Sequence, residues 1–222
     1  MILLVTGTDT GVGKTVIAGA LAIAARLAGR RVAVLKPVET GCKGRPRRAP
    51  DAELLARCAG TDPNDAVLWK LRDPVAPAIA ADRERVWLPF ARIVQRAYDL
   101  ETDHDVVILE GAGGVRVPIT WAEDYASLAS ALHARTVVVA RAGLGTLNHT
   151  LLTLEALRAS GIHVQGVVLN ATTPAQDLAT RTNPEALSRL ARETPRISVP
   201  FLRAKTPLAR CRAAARLVAP LL

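Results

Sequence analysis

At 222 residues, half of them apolar, the chain is long enough to bury the core of one sizeable α/β domain, and with 3% aromatics that core must come from Ala, Val, Leu and Ile. Its longest apolar stretch, residues 16–25, is too short to cross a bilayer, and no basic segment precedes the apolar N-terminus, so neither a membrane span nor a signal peptide is expected. The net charge of +9 would ordinarily suggest nucleic acid or an anionic surface, but 24 of the 29 basic residues are Arg and they are scattered.

Residues 2–5 form a short apolar run, predicted to be a strand, and residues 6–15 read T-G-T-D-T-G-V-G-K-T. A Gly-rich turn between a strand and an apolar helix is phosphate-binding architecture. Backbone N–H groups turn inward around an anion, and the helix start adds partial positive charge. Lys14 would reach the terminal phosphates and the Thr15 hydroxyl a magnesium ion. The glycine spacing is irregular: G-x-x-x-x-G-K-[ST] would need Gly where Thr8 stands, and Gly7 lies one residue early.

The helix from Lys14 is expected to run to Ala28 before Gly29. A second strand from Arg31 runs through residues 32–35 into Lys36 and is expected to stop at Pro37, which cannot donate to a ladder. Residues 40–50 read as loop. Their basic run, Lys43 to Arg48, has no interleaved aromatics and reads as a solvated surface rather than a nucleic-acid site. Asp51 opens a helix with Leu54, Leu55 and Cys58 on its buried face.

Four prolines between residues 61 and 89 predict short irregular pieces. A helix follows over residues 89–100. Residues 105–110 form an apolar strand ending on Glu110, before Gly111, Ala112, Gly113 and Gly114. Helix over 125–133, strand over 136–140, helix over 147–159 and strand over 164–169 continue the alternation. A helix over 184–192 capped by Asn183, a short strand over 197–199 and a helix over 208–218 complete it.

Continuous apolar strands separated by helices predict a doubly wound, mainly parallel sheet with helices on both faces, a Rossmann-like three-layer P-loop fold, in one domain spanning 1–222. Cys42, Cys58 and Cys211 are odd in number, far apart in sequence and without C-x-x-C spacing. That argues against a disulfide framework or zinc site and favours a reducing cytosol.

Ligands of open α/β sheets bind beyond the carboxyl ends of the strands, so the polar residues there carry the chemistry. Glu110 ends its strand as a Walker-B acid does and could bind magnesium opposite Thr15. Lys36 closes a buried strand, a costly place for a charge unless an anion meets it. With Lys14 it would clamp a phosphoryl group in transfer. Asn170 offers a donor and an acceptor that could read a nucleobase, or it caps its strand. His149 lacks a partner for nucleophilic or metal chemistry, and His104, His133 and His163 read as surface or packing residues.

Together these residues resemble the dethiobiotin synthetase family. Its order and spacing are matched by the phosphate loop (6–15), K-P-V-E-T-G (36–41), E-G-A-G-G (110–114), L-G-T-L-N-H (144–149) and Asn170. The middle (61–89) and the tail beyond Leu202 match loosely. The resemblance implies a cytoplasmic, homodimeric ligase of biotin synthesis that uses ATP and magnesium, without nucleic acid or membrane. Its substrates would be 7,8-diaminononanoate and carbon dioxide or bicarbonate. One amine is carboxylated to a carbamate, ATP phosphorylates the carbamate, and the second amine closes the ureido ring.

The resemblance makes Lys36 and Lys14 catalytic. It puts Thr10, Gly11, Val12, Gly13, Lys14, Thr15 and Val16 around the phosphates, with Gly111, Ala112 and Gly113 nearby. Asn170, Ala171, Pro200, Phe201 and Leu202 would lie at the adenine end. Thr15, Asp51 and Glu110 would hold magnesium, and Asp51 and Glu110 thereby join the ATP site. Lys36, Thr40, Gly114, Val115, Leu144, Thr146 and Asn148 would meet the substrate, the last three across a dimer interface. Gly11 stands where some members carry Glu.

The substrate supplies its own nucleophile in that chemistry, so no activated Ser, Cys or His is needed. Two alternatives share the loop. A related ATP-dependent amide-forming synthetase would usually add a glutamine-hydrolysing domain, for which 222 residues leave no room. A partitioning-type DNA-associated ATPase would usually carry a second lysine near Asp9.

Overall fold

The computed structural model describes residues 1–174 and 177–222. Seven strands form one sheet in the order β3-β2-β4-β1-β5-β6-β7, with every pairing parallel. The strands are β1 (Ile2–Gly7), β2 (Val32–Glu39), β3 (Val67–Lys70), β4 (Val106–Gly114), β5 (Arg135–Arg141), β6 (Val164–Asn170) and β7 (Arg196–Val199). The helices are α1 (Lys14–Leu27), α2 (Pro50–Ala59), α3 (Pro77–Glu84), α4 (Phe90–Asp103), α5 (Tyr125–Ala131), α6 (Thr146–Ala159), α7 (Leu178–Leu190) and α8 (Pro207–Val218).

Successive strand residues point to opposite faces, and both faces are dry. Leu3, Val5, Val34, Ile108, Val137 and Val139 pack under α1, α2 and α8, against Ile17, Leu21, Leu55 and Val218. Ile2, Leu4, Leu35, Leu109, Val138 and Ala140 pack on the other side, against Ile93, Tyr125, Leu128, Leu154 and Leu187. The doubly wound parallel sheet expected from the uninterrupted apolar runs is therefore present. No helix among the described residues is long and apolar enough to cross a membrane.

Three expectations need correction. Strand β2 does not stop at Pro37 but continues to Glu39. Lys36 turns its N–H towards β3, bonding Ala66 at 2.8 Å, so Pro37 turns its nitrogen towards β4. The β2–β4 ladder has already ended at Leu35–Leu109, and no donor is missed. Residues 61–89, expected to be irregular, contain edge strand β3 and helix α3, where Pro77 takes the first helical position it tolerates.

Helix α7 begins at Leu178 rather than Pro184. Asp177 caps it by accepting the Thr180 N–H at 2.7 Å, and Pro184 sits inside with the loss of a single helical bond. Asn183 is not a cap but donates to the Gly143 carbonyl at 2.7 Å. Cys58 and Cys211, distant in sequence, come together in space. The sulfurs of Cys58 of α2 and Cys211 of α8 both lie against Gly19 of α1, and all three cysteines are free and buried.

Candidate active site

The phosphate loop joins β1 to α1 at the carboxyl edge of the sheet. Its displaced glycine has a steric cause. A Cβ on Gly7 would fall 2.9 Å from the Asp9 carbonyl and 3.0 Å from Lys14 Nζ, which donates to that carbonyl at 2.9 Å. Gly13 has φ +96°, and a Cβ there would fall 2.2 Å from Asn170 Nδ2. Asn170, at the end of β6, donates that nitrogen to the Val12 carbonyl at 2.9 Å. The residue expected to read a nucleobase thus clamps the loop with its amino group.

Lys14 is 7% exposed, and burial lowers its pKa. Beside it, Lys36 of β2 is 6% exposed and Glu110 of β4 is 1% exposed. Lys36 Nζ donates to Glu110 Oε1 at 3.0 Å and makes a closer contact with the Asp51 carboxylate from the first turn of α2. The Thr15 hydroxyl donates to the same Glu110 oxygen at 2.8 Å. Burial alone would lower the Lys36 pKa, but Glu110 and Asp51 outweigh it, and the ammonium is held well above its ordinary range. Burial raises the Glu110 pKa against the opposing pull of Lys36.

These groups face one cavity of about 680 Å³ with Thr10, Gly11, Gly13, Thr40, Gly111, Ala112 and Gly113. Five further lining residues escaped sequence reasoning: Pro74, Val75, Ala76, Pro77 and Val117. The first four lead into α3, hidden by the proline-rich composition of that stretch. Val117 lines the cavity, whereas Val115 is buried behind it and Gly114 pairs with Gly7.

A second cavity, about 210 Å³, shares Gly11 and Gly13 with the first and adds Val16, Asn170, Ala171, Thr172, Phe201, Leu202 and Arg210. Pro200 is exposed beside it, and Thr172 and Arg210 were not anticipated. Leu144 and Thr146 instead border a narrow cleft with Thr8, Asp9, Val12, Arg141 and His149. Leu144 is 88% exposed and Asn148 is exposed, so neither reaches the main cavity within this chain.

The basic loop is more ordered than a solvated run. Lys43 and Arg48 form a bridge, and Arg47 bonds the Lys70 carbonyl at 2.9 Å and Glu84 at 2.6 Å. Lys43 and Arg45 remain exposed.

The donor set suits a hard cation. Thr15, Asp51 and Glu110 offer only oxygen, and Glu110 Oε2 is buried with no partner among the described residues. Magnesium usually takes one or two carboxylates and completes its shell with water and substrate phosphates. The same residues do not form a self-sufficient metal cage, as no group of three His, Cys, Asp or Glu is gathered among the described residues.

A phosphate loop on β1, a buried acid on β4 and a Thr–carboxylate pair between them define a P-loop nucleotide-binding protein. Residues 2–207 match the AAA domain family. The septum site-determining protein MinD complexed with Mg-ADP from Pyrococcus horikoshii OT3 superposes with a TM-score of 0.63 over 99% of this chain and 93% of that one; at 16% identity the likeness is one of fold.

Curated proteins named ATP-dependent dethiobiotin synthetase BioD are closer in sequence. The Anaeromyxobacter dehalogenans (strain 2CP-C) protein is 45% identical over 202 residues, 90% of this chain and 89% of the relative. The Rhodococcus jostii (strain RHA1) protein is 46% identical over 82% and 78%, and that of Aquifex aeolicus (strain VF5) 38% identical over 86% and 84%. The chain belongs to the ATP-dependent dethiobiotin synthetase family.

Proposed function

We propose that this chain, acting over residues 1–222 as one catalytic domain, is an ATP-dependent ligase that closes the ureido ring of dethiobiotin. Its substrates are 7,8-diaminononanoate and carbon dioxide, with ATP as co-substrate. The observation that carries the reading is the pair of buried lysines, Lys14 and Lys36, facing one cavity that has no activated Ser, Cys or His. Such a site gathers anions and leaves nucleophilicity to the substrate.

The first amine adds to carbon dioxide and loses a proton, giving a carbamate. Lys36 and Thr40 hold the carbamate oxygens, while Lys14 and the backbone from Thr10 to Val16 hold the phosphates. The carbamate oxygen attacks the γ-phosphorus and ADP leaves. The second amine then attacks the carbonyl carbon, phosphate departs, and loss of a proton leaves the cyclic urea. Thr15, Asp51 and Glu110 are the oxygen donors for magnesium, whose contribution when bound is to neutralise charge on the phosphoryl oxygens.

The cavity around Asn170, Ala171, Phe201 and Leu202 takes the nucleoside end. The exposed Leu144, with Thr146 and Asn148, serves the site of a second copy, making the working form a homodimer. Buried free thiols suit a cytoplasmic enzyme.

Incubation with diaminononanoate, bicarbonate and magnesium-ATP, followed by mass, tests the proposal. The expected result is the ureido product with equimolar ADP; unreacted diamine would overturn it.

A further inference from the structure

The cavity of about 210 Å³ beyond the phosphate loop carries one charged side chain on its wall, Arg210 of α8. The side chain is exposed, and its Nε donates to the Ala204 carbonyl at 3.0 Å. The two terminal nitrogens have no acceptor, and Arg210 joins no ion pair, among the described residues. The surrounding chain does not neutralise it: after Glu193 the sequence holds Arg196, Arg203, Lys205, Arg212 and Arg216 and no acid.

Across the cavity, Asn170 has its amino group committed to the Val12 carbonyl. Val16, Phe201 and Leu202 supply apolar surface that any base can stack on. The unsatisfied side-chain donors on this wall therefore belong chiefly to Arg210.

A guanidinium donates and never accepts, and its parallel N–H fork fits two acceptors side by side. Guanine presents that pattern at O6 and N7, and cytosine at O2 and N3. Adenine does not, because its amino group sits between N1 and N7. One arm of the fork would face a donor.

We infer that Arg210 is a specificity-determining residue that admits nucleotides whose base carries a carbonyl oxygen beside a ring acceptor, alongside ATP. The inference rests on reading this cavity as the base end of the nucleotide site.

The test compares kcat/KM for ATP, GTP and CTP in the ring-closure reaction, in the unaltered enzyme and in Arg210→Ala and Arg210→Lys. The unaltered enzyme turns over GTP and CTP. In Arg210→Ala the GTP:ATP and CTP:ATP ratios fall about tenfold or more. Arg210→Lys, which keeps the charge and loses the fork, falls with it. Equal losses for all three nucleotides, ratios restored by Lys, or no turnover of GTP and CTP by the unaltered enzyme would each overturn the inference.

Val16→Trp, which fills the cavity, separates this from the reading beneath. If its KM values for all three nucleotides are unchanged, the cavity is not the base site. If they rise while the Arg210→Ala ratios stay flat, the base site stands and the role of Arg210 falls.

Discussion

Glu39 accepts the backbone N–H of Asp51 at 3.0 Å through one carboxylate oxygen, and that of Ala52 at 2.9 Å through the other. Ala49, at the cap position of α2, has no side chain to bond with, and Pro50 has no N–H. Glu39, at the end of β2, is therefore the cap, supplied from eleven residues before the helix. It ties the helix that carries Asp51 to the strand that carries Lys36. Burial raises the Glu39 pKa, and its bond to Ala52 and the nearby Lys36 oppose that rise.

Replacing Glu39 with Ala removes both bonds. We predict a stability loss of about 1–2 kcal/mol and a melting point lower by a few degrees, together with a reduced kcat as Asp51 loses its placement. Glu39→Gln, which keeps one acceptor and turns an amino group on the other N–H, falls between. Thermal melting beside steady-state kinetics checks this; a lowered melting point with unchanged kcat would show that Asp51 does not depend on the cap.

Lys36 and Glu110 make the second test. We expect Lys36→Ala to lose ring closure by about 100-fold or more while nucleotide still binds. Removing one partner of a buried pair is also destabilising, by about 3–5 kcal/mol. The pH dependence identifies the cause. Glu110 has its pKa raised above the ordinary 4.5 by burial, with Lys36 opposing, and the variant loses that opposition. Between 4.5 and the raised native value the folded state binds more protons than the unfolded chain, so stability falls as pH rises across that window. The deficit of Lys36→Ala should therefore shrink as pH is lowered from neutrality. Adding Glu110→Gln should restore stability and flatten the slope without restoring activity, as denaturant titrations at several pH values would show.

These groups are visible in the sequence because each ends or interrupts an apolar run: Lys36 after residues 32–35, Glu110 after residues 106–109. The sheet was legible for the same reason, since strands buried on both faces leave no alternation to misread. What stayed hidden depends on tertiary placement. Pro37 reads as a stop because nothing local says that the β2–β4 ladder has already ended at Leu35. Residues 74–77 read as irregular because α3 is short and its one proline, Pro77, sits where a helix start accepts it. Asn170 was found, but not its bond to Val12, 158 residues distant. Arg210 looks like any other arginine on a helix until the cavity beside it is seen.

Lys14 gives a prediction about protons. Burial holds its pKa below the ordinary 10.5, outweighing the raising pull of Glu110. A bound phosphate favours the ammonium and raises the value again. At pH values between the two, binding takes up a proton, so nucleotide affinity falls as pH rises. Calorimetric titration with ADP in buffers of differing ionisation heat should record that uptake in the alkaline range below 10.5. Lys14→Arg should bind more weakly and record none, because a guanidinium stays charged throughout. Affinity independent of pH in the unaltered protein would count against Lys14 as the phosphate contact.

The clamp between Asn170 and the phosphate loop supplies the last test. Gly13 needs φ +96°, a left-handed conformation that costs about 1–2 kcal/mol for a residue with a Cβ, and its missing Cβ leaves the space that Asn170 Nδ2 occupies. Gly13→Ala should weaken nucleotide binding about tenfold or more. Asn170→Ala should also weaken it, by freeing the Val12 carbonyl from its buried partner. In the double variant the collision is gone and only the backbone strain remains, so the two losses should fall short of adding by about 0.5 kcal/mol or more. A double-mutant cycle on ADP affinity measures this directly. Additive losses would mean that Asn170 and Gly13 act on the nucleotide independently and that the clamp has no part in shaping the loop.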